Sequence, residues 1–146
     1  MHPRLALAAV GATVADAVYG FAVYGNALNS QFSAFPAVFR PAEAGPAYLP
    51  GMFVGILVAM LAVAYMYAKG YEGGSGLQEG LRFGFLLAIV NAGYFVGVNY
   101  AILNIGPGVA IGMALAGLGE WLLIGGVIGA IYKPAGLPRR AGASGV

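Results

Sequence analysis

A chain of 146 residues with 60% hydrophobic and only 8% charged side chains departs far from the half apolar, quarter charged usage of water-soluble domains. A soluble fold is excluded, because one small core would have to absorb several long apolar runs with little polar surface left to cover it. A formal charge of +2 from seven scattered basic residues excludes a nucleic-acid footprint, and the absence of cysteine together with a single terminal histidine, His2, leaves no metal or cofactor to be expected.

A bilayer core of about 30 Å takes roughly 20 apolar residues in helix, and four stretches qualify: 5–24, 51–67, 81–105 and 109–132. Backbone groups in hydrocarbon must be satisfied within each segment. The expected fold class is therefore an all-α membrane protein, a four-transmembrane-helix antiparallel bundle forming one domain over residues 1–146. The first stretch imitates a signal peptide, with Arg4 before an apolar run and Ala15-Asp16-Ala17 resembling a cleavage site. The run continues through Tyr19, Phe21 and Val23, so it is read as an anchor that stays. Within it Ala8, Ala12, Asp16 and Gly20 recur every four residues, a small-residue stripe of the kind along which membrane helices pack.

The outer loop, 25–50, carries Pro36, Pro41, Pro46 and Pro50, which break any long helix, and Phe32, Phe35, Val38 and Phe39, which make it partly apolar. It reads as a loop or short interfacial helix, or as a lid onto which a partner docks. After the second stretch, Gly73-Gly74-Ser75-Gly76 forms a flexible turn, Ser75 and Gln78 have capping-box spacing, and Glu79 and Arg82 stand three apart as an ion pair at the inner boundary. The string GSGLQEGLRFG, Gly74 to Gly84, resembles the inner loop of a family of small, uncharacterised bacterial four-helix integral membrane proteins. That resemblance implies the four-span layout and, as the family has no established activity, no catalytic residue.

The third stretch holds Asn91 and a Gly93/Gly97 pair, and Asn99 and Asn104 stand farther out. Gly106-Pro107-Gly108 makes a tight turn into the fourth stretch, where Gly108, Gly112, Ala116 and Glu120 form a second small-residue stripe ending in an acid. Trp121 points about 100° away from Glu120 and is expected either on a glycine groove such as Gly125 and Gly129 or on a partner. The tail, 133–146, closes the chain.

Four spans place Arg4, Lys69, Arg82, Lys133, Arg139 and Arg140 on one side and Arg40 alone on the other, so both termini are expected to be cytoplasmic in a multi-pass cell inner-membrane protein. Tyr24, Tyr48 and Tyr100 then fall near the outer boundary, and Tyr65, Tyr67, Tyr71, Phe83 and Tyr132 near the inner one.

At 1.5 Å per residue, Asp16, Asn91 and Glu120 each lie about ten to twelve residues from the inner end of their stretches, which predicts one polar layer near the bilayer centre. An ionised side chain there costs about 2.5–3.5 kcal/mol, so two neighbouring acids are expected to share one or two protons. Two functions compete. The first is a non-enzymatic accessory or assembly subunit, or a homo-oligomer, packing through faces supplied by the 25 glycines, with lipid and other membrane subunits or itself as partners. The alternative is a small proton- or cation-linked transporter or channel using Asp16 and Glu120. An enzyme acting on a lipid-like substrate is a third class, but no histidine, cysteine or serine shares the level of the acids.

Overall fold

Proline and glycine decide where the helices begin and end. In the computed structural model, which describes residues 3–132, α1 (Pro3–Ala22) starts on a proline, whose missing N–H is one of the orphans of a helix start, and runs on into a π-helical turn, Val23–Ala27. A short α2 (Asn29–Ser33) and a 3₁₀ turn (Ala42–Ala44) lead to α3 (Gly45–Gly70). Next come α4 (Gly76–Val90), a π-helical segment (Asn91–Val96) and α5 (Gly97–Ile102) as one continuous span, and finally α6 (Pro107–Tyr132). The described residues contain no strand. Four helical stretches of 25 to 29 residues, Pro3–Ala27, Ala42–Gly70, Gly76–Ile102 and Pro107–Tyr132, are long and apolar enough to cross a membrane. His2 and the tail, with Lys133, Arg139 and Arg140, lie outside the described residues.

Two spans differ in their boundaries from the sequence-based expectation. The second span starts at Gly45 rather than residue 51, because Pro46 falls in the first turn, where no intrahelical donor is lost, and Pro50 costs α3 a single backbone bond. The third starts at Gly76 rather than residue 81, directly after an extended Ser75, and ends at Ile102, before an extended Leu103 with φ −101° and ψ 143°.

α1 packs on α3 along one flank and on α6 along another, while α4 packs on the opposite flank of α6. The α4–α6 contact is glycine against glycine. A Cβ on Gly80 would strike the Gly125 carbonyl oxygen, one on Gly84 that of Trp121, and one on Gly129 that of Gly76. Residue numbers rise on α4 as they fall on α6, so the two helices run in opposite directions with their backbones touching.

The core is made by Leu5, Ala8, Ala9 and Ala12 of α1, Met60, Val63, Ala64 and Tyr67 of α3, and Ile124 and Ile128 of α6. All of it lies toward the near end of the molecule, where α1 begins, α3 joins α4 and α6 finishes. Tyr67 is only 3% exposed and anchors a ring cluster there, with centroids 5.9 Å from Tyr71, 5.6 Å from Phe83 and 5.9 Å from Tyr132. Its hydroxyl donates to the Gly76 carbonyl at 3.0 Å. Tyr67 thus joins three spans instead of facing a headgroup layer.

The expected capping box and ion pair take a different form. Ser75 occupies the N-cap position of α4 without a side-chain cap bond, so the Ser75–Gln78 box does not form. Glu79 replaces it, reaching back one turn to accept the backbone N–H of Glu72 at 2.9 Å and of Gly74 at 2.5 Å. That occupies both of its oxygens, and no ion pair to Arg82 is present among the described residues. The loop between passes through Gly73 at φ 89°, a left-handed conformation that glycine adopts without strain.

The packing stripes are also redistributed. Ala8 and Ala12 are fully buried and Ala116 nearly so, but a Cβ on Gly20, Gly93 or Gly108 would meet nothing within 4 Å, and one on Gly97 only the carbonyl of Ala92 in its own helix. Gly112 is covered by the connection that follows α1, with Gln31 Oε1 3.0 Å and Leu28 Cδ2 3.1 Å from where its Cβ would stand. That connection folds over the far end of α6 and also sets Phe35 against Gly106.

Candidate functional site

Close packing on α1 ends at Asp16, the last buried residue of that helix and the one buried charged side chain among the described residues, at 9% exposure. Its carboxyl and that of Glu120 on α6 line one cavity. Two acids that share an apolar site repel each other when both are ionised, which favours a proton held between them.

Glu120 has a hydrogen-bond partner. The Tyr24 hydroxyl donates to its Oε2 at 3.0 Å. Tyr24 was expected in the outer aromatic belt, near the end of its span. It reaches inward because Cα–Cβ bonds tilt toward the N-terminus of their helix. On antiparallel α1 and α6 that tilt draws Tyr24 toward the near end and Glu120 toward the far end, and their tips meet. Tyr19 supports the same region, with its hydroxyl donating to the Ala116 carbonyl at 2.9 Å and its ring lying on Gly119.

Asn91 approaches α6 one turn from Glu120. Its amide lies against Gly117, whose added Cβ would also be 4.0 Å from the Tyr24 hydroxyl. Of the predicted layer, Asp16 and Glu120 line one cavity, and Asn91 lies against Gly117, near the Tyr24 hydroxyl that bonds Glu120. Asn99 bonds the Phe95 carbonyl of its own helix at 2.8 Å and Asn104 is exposed, so neither extends a polar track from the acids. Trp121 is half-buried and packs against the core beside the α4 contact.

The acids face a cavity of about 570 Å³. Asp16, Ala17, Gly20 and Phe21 of α1 line it together with Tyr24 and Gly25 of the π turn, Phe32 of α2, Leu49, Met52 and Ile56 of α3, and Glu120. Its walls are apolar and its polar groups converge at one place, the general character of a small-molecule site. Among the described residues, no lysine, arginine or histidine lines it. Gly20, which the sequence reading assigned to packing, serves here as space, since it opens onto the cavity.

Phe32 is the partition at the far end. It lines the acid cavity and also a second pocket of about 630 Å³ formed with Asn29, Pro36, Phe39, Arg40 and Glu43. Its ring stacks on Tyr24 at 6.5 Å and 12° and lies 4.6 Å from Phe39. Arg40 beside it is held over the Tyr48 ring at 3.8 Å. Sequence reasoning could find Phe32 only as one apolar residue in a proline-rich connection, because nothing in the pattern says that this connection folds back over α1 and α6.

No group of three or more histidine, cysteine or acidic side chains able to hold a metal ion occurs among the described residues. Comparison with protein-family models, with curated proteins and with solved structures finds no match to this chain.

Proposed function

We propose that the chain is a multi-pass protein of a bacterial inner membrane, a four-helix antiparallel bundle with both termini cytoplasmic, that binds and passes a proton or cation through Asp16 and Glu120. The placement of charge supports this topology. Lys69 and Arg82 flank the loop at the near end, Arg4 opens α1 at the same end, and Arg40 stands alone at the far end.

One observation carries the functional reading: the two acids line the same cavity. Acids that served only to fix helix register would be enclosed by side chains, each hydrogen bond adding about 0.6 kcal/mol. An acid pair left open to a cavity can exchange its proton with whatever enters. In reconstituted liposomes with an imposed pH gradient, the protein should collapse the gradient in the presence of a transportable cation. The Asp16→Asn, Glu120→Gln double variant should lose that activity while keeping its helical circular dichroism. Equal flux from folded double variant and parent would remove this reading.

A second reading, an accessory subunit or homo-oligomer, is favoured by bare glycine faces at Gly51, Gly55 and Gly93, where an added Cβ meets nothing within 4 Å. Native mass spectrometry from membrane would show bound subunits or copies. A lone chain throughout would count against it.

A further inference from the structure

We infer that the cavity beside Asp16 and Glu120 takes a monovalent organic amine with an apolar body, its ammonium group set against the acid pair. This rests on the cation-linked reading above and names the cation.

Charge is the first argument. Two carboxyls lining one largely apolar cavity repel each other when both are ionised, so the pair presents a single negative charge at least cost. One ammonium neutralises it. A divalent ion fits poorly, since calcium takes about six to eight oxygen ligands and the cavity offers two carboxyls and the Tyr24 phenol. An anion is disfavoured because no basic side chain lines the space.

Size and surface point the same way. A bare proton or alkali ion needs no enclosure of about 570 Å³, whereas small organic ligands occupy pockets of roughly 300–1,000 Å³. Phe21, Phe32, Leu49, Met52 and Ile56 suit a hydrocarbon or aromatic body, and the aromatic rings among the lining add attraction for a cation. An ammonium also has N–H donors for carboxyl oxygens, which a quaternary cation lacks.

Gly20 supplies a test that leaves the acids intact. It lines the cavity one turn beyond Asp16, and a Cβ there meets nothing within 4 Å, so a side chain can start at this position and Gly20→Leu takes up cavity space. The experiment is isothermal titration of the full-length protein in detergent with 2-phenylethylamine, using 2-phenylethanol and 3-phenylpropanoate as neutral and anionic probes of matched size. The amine should bind at one site, roughly tenfold or more tighter than either control. Gly20→Leu and Asp16→Asn should each weaken it by about tenfold or more, and Gly55→Ala, on an open face of α3, should leave it unchanged.

Amine affinity no better than that of the alcohol, or unaltered in folded Gly20→Leu, would overturn the inference. Acid-dependent proton flux without amine binding would overturn it and leave the transport reading standing. Amine binding without any flux would do the reverse.

Discussion

Replacing Gly80 by alanine tests the α4–α6 contact at its tightest point. The new methyl would strike the Gly125 carbonyl oxygen and stand 3.0 Å from its carbonyl carbon and 3.1 Å from Gly129 Cα. All three are backbone atoms, so no side chain can rotate away, and the helices must separate until carbon contacts reach about 3.5–4.0 Å. A gap of 0.5–1 Å forfeits roughly a quarter to a half of each contact along the seam, and overpacking of this kind costs about 1–3 kcal/mol. Alanine returns about 1 kcal/mol through helix propensity, which leaves a net loss of up to about 2 kcal/mol. Gly55→Ala provides the control: its Cβ meets nothing within 4 Å, so only the propensity gain of about 0.5–1 kcal/mol applies. Reversible unfolding in mixed micelles, followed by far-UV circular dichroism against the mole fraction of dodecyl sulfate, reads both. Opposite signs are expected; equal shifts in the two variants would refute the tight seam.

Two further expectations follow from the ends of the molecule. Phe32→Ala removes the ring shared by the acid cavity and the far-end pocket, so a water-soluble carbodiimide should modify Asp16 and Glu120 faster, as peptide mass spectrometry would show; an unchanged rate would mean that Phe32 is no barrier. Glu79→Gln weakens the bonds to the Glu72 and Gly74 amides and should cost about 1 kcal/mol. Amide hydrogen exchange at those two positions should accelerate, and unaltered protection would show that the turn holds without the carboxylate.

The four spans were legible because length and apolarity can be counted along a sequence, and the common level of Asp16 and Glu120 followed from the fixed rise of a helix. Helix partners were not. Starting the third span at Leu81 left Gly76 and Gly80 outside it, which concealed a stripe of Gly76, Gly80, Gly84 and Ala88 longer than the Gly93/Gly97 pair taken in its place. A small-residue stripe states only that a backbone can be approached. Gly125 and Gly129 become its counterpart because their spacing matches in the antiparallel sense, a pairwise property that neither helix displays alone. Tyr24 was placed in an aromatic belt by its distance from the span's end, whereas the tilt of its side chain decided where its hydroxyl went.

These differences bear on how the site works. Glycine contacts, the Tyr67 ring cluster and the residues from Leu5 to Ala12 concentrate close packing at the near end. The far end has two π-helical segments, a folded-over connection and bare glycines. Asp16 and Glu120 sit at the junction. Local opening is cheapest where buried apolar contacts are few, so the walls formed by Phe32, Leu49 and Met52 can part while the floor that holds the acids stays fixed. A ligand entering past Phe32 would meet two carboxyls already gathered on one cavity, with Glu120 held by Tyr24, so little of its binding energy is needed to order them. The same geometry sets a direction. Exchange with the far side requires only the loosely packed walls to move, whereas exchange with the near side requires α1 to part from α6 across Ala8, Ala12 and Ile128, which are fully buried. On the transport reading, passage across the membrane would be limited by the near-end step, and substitutions in that core should slow complete transport more than they slow binding.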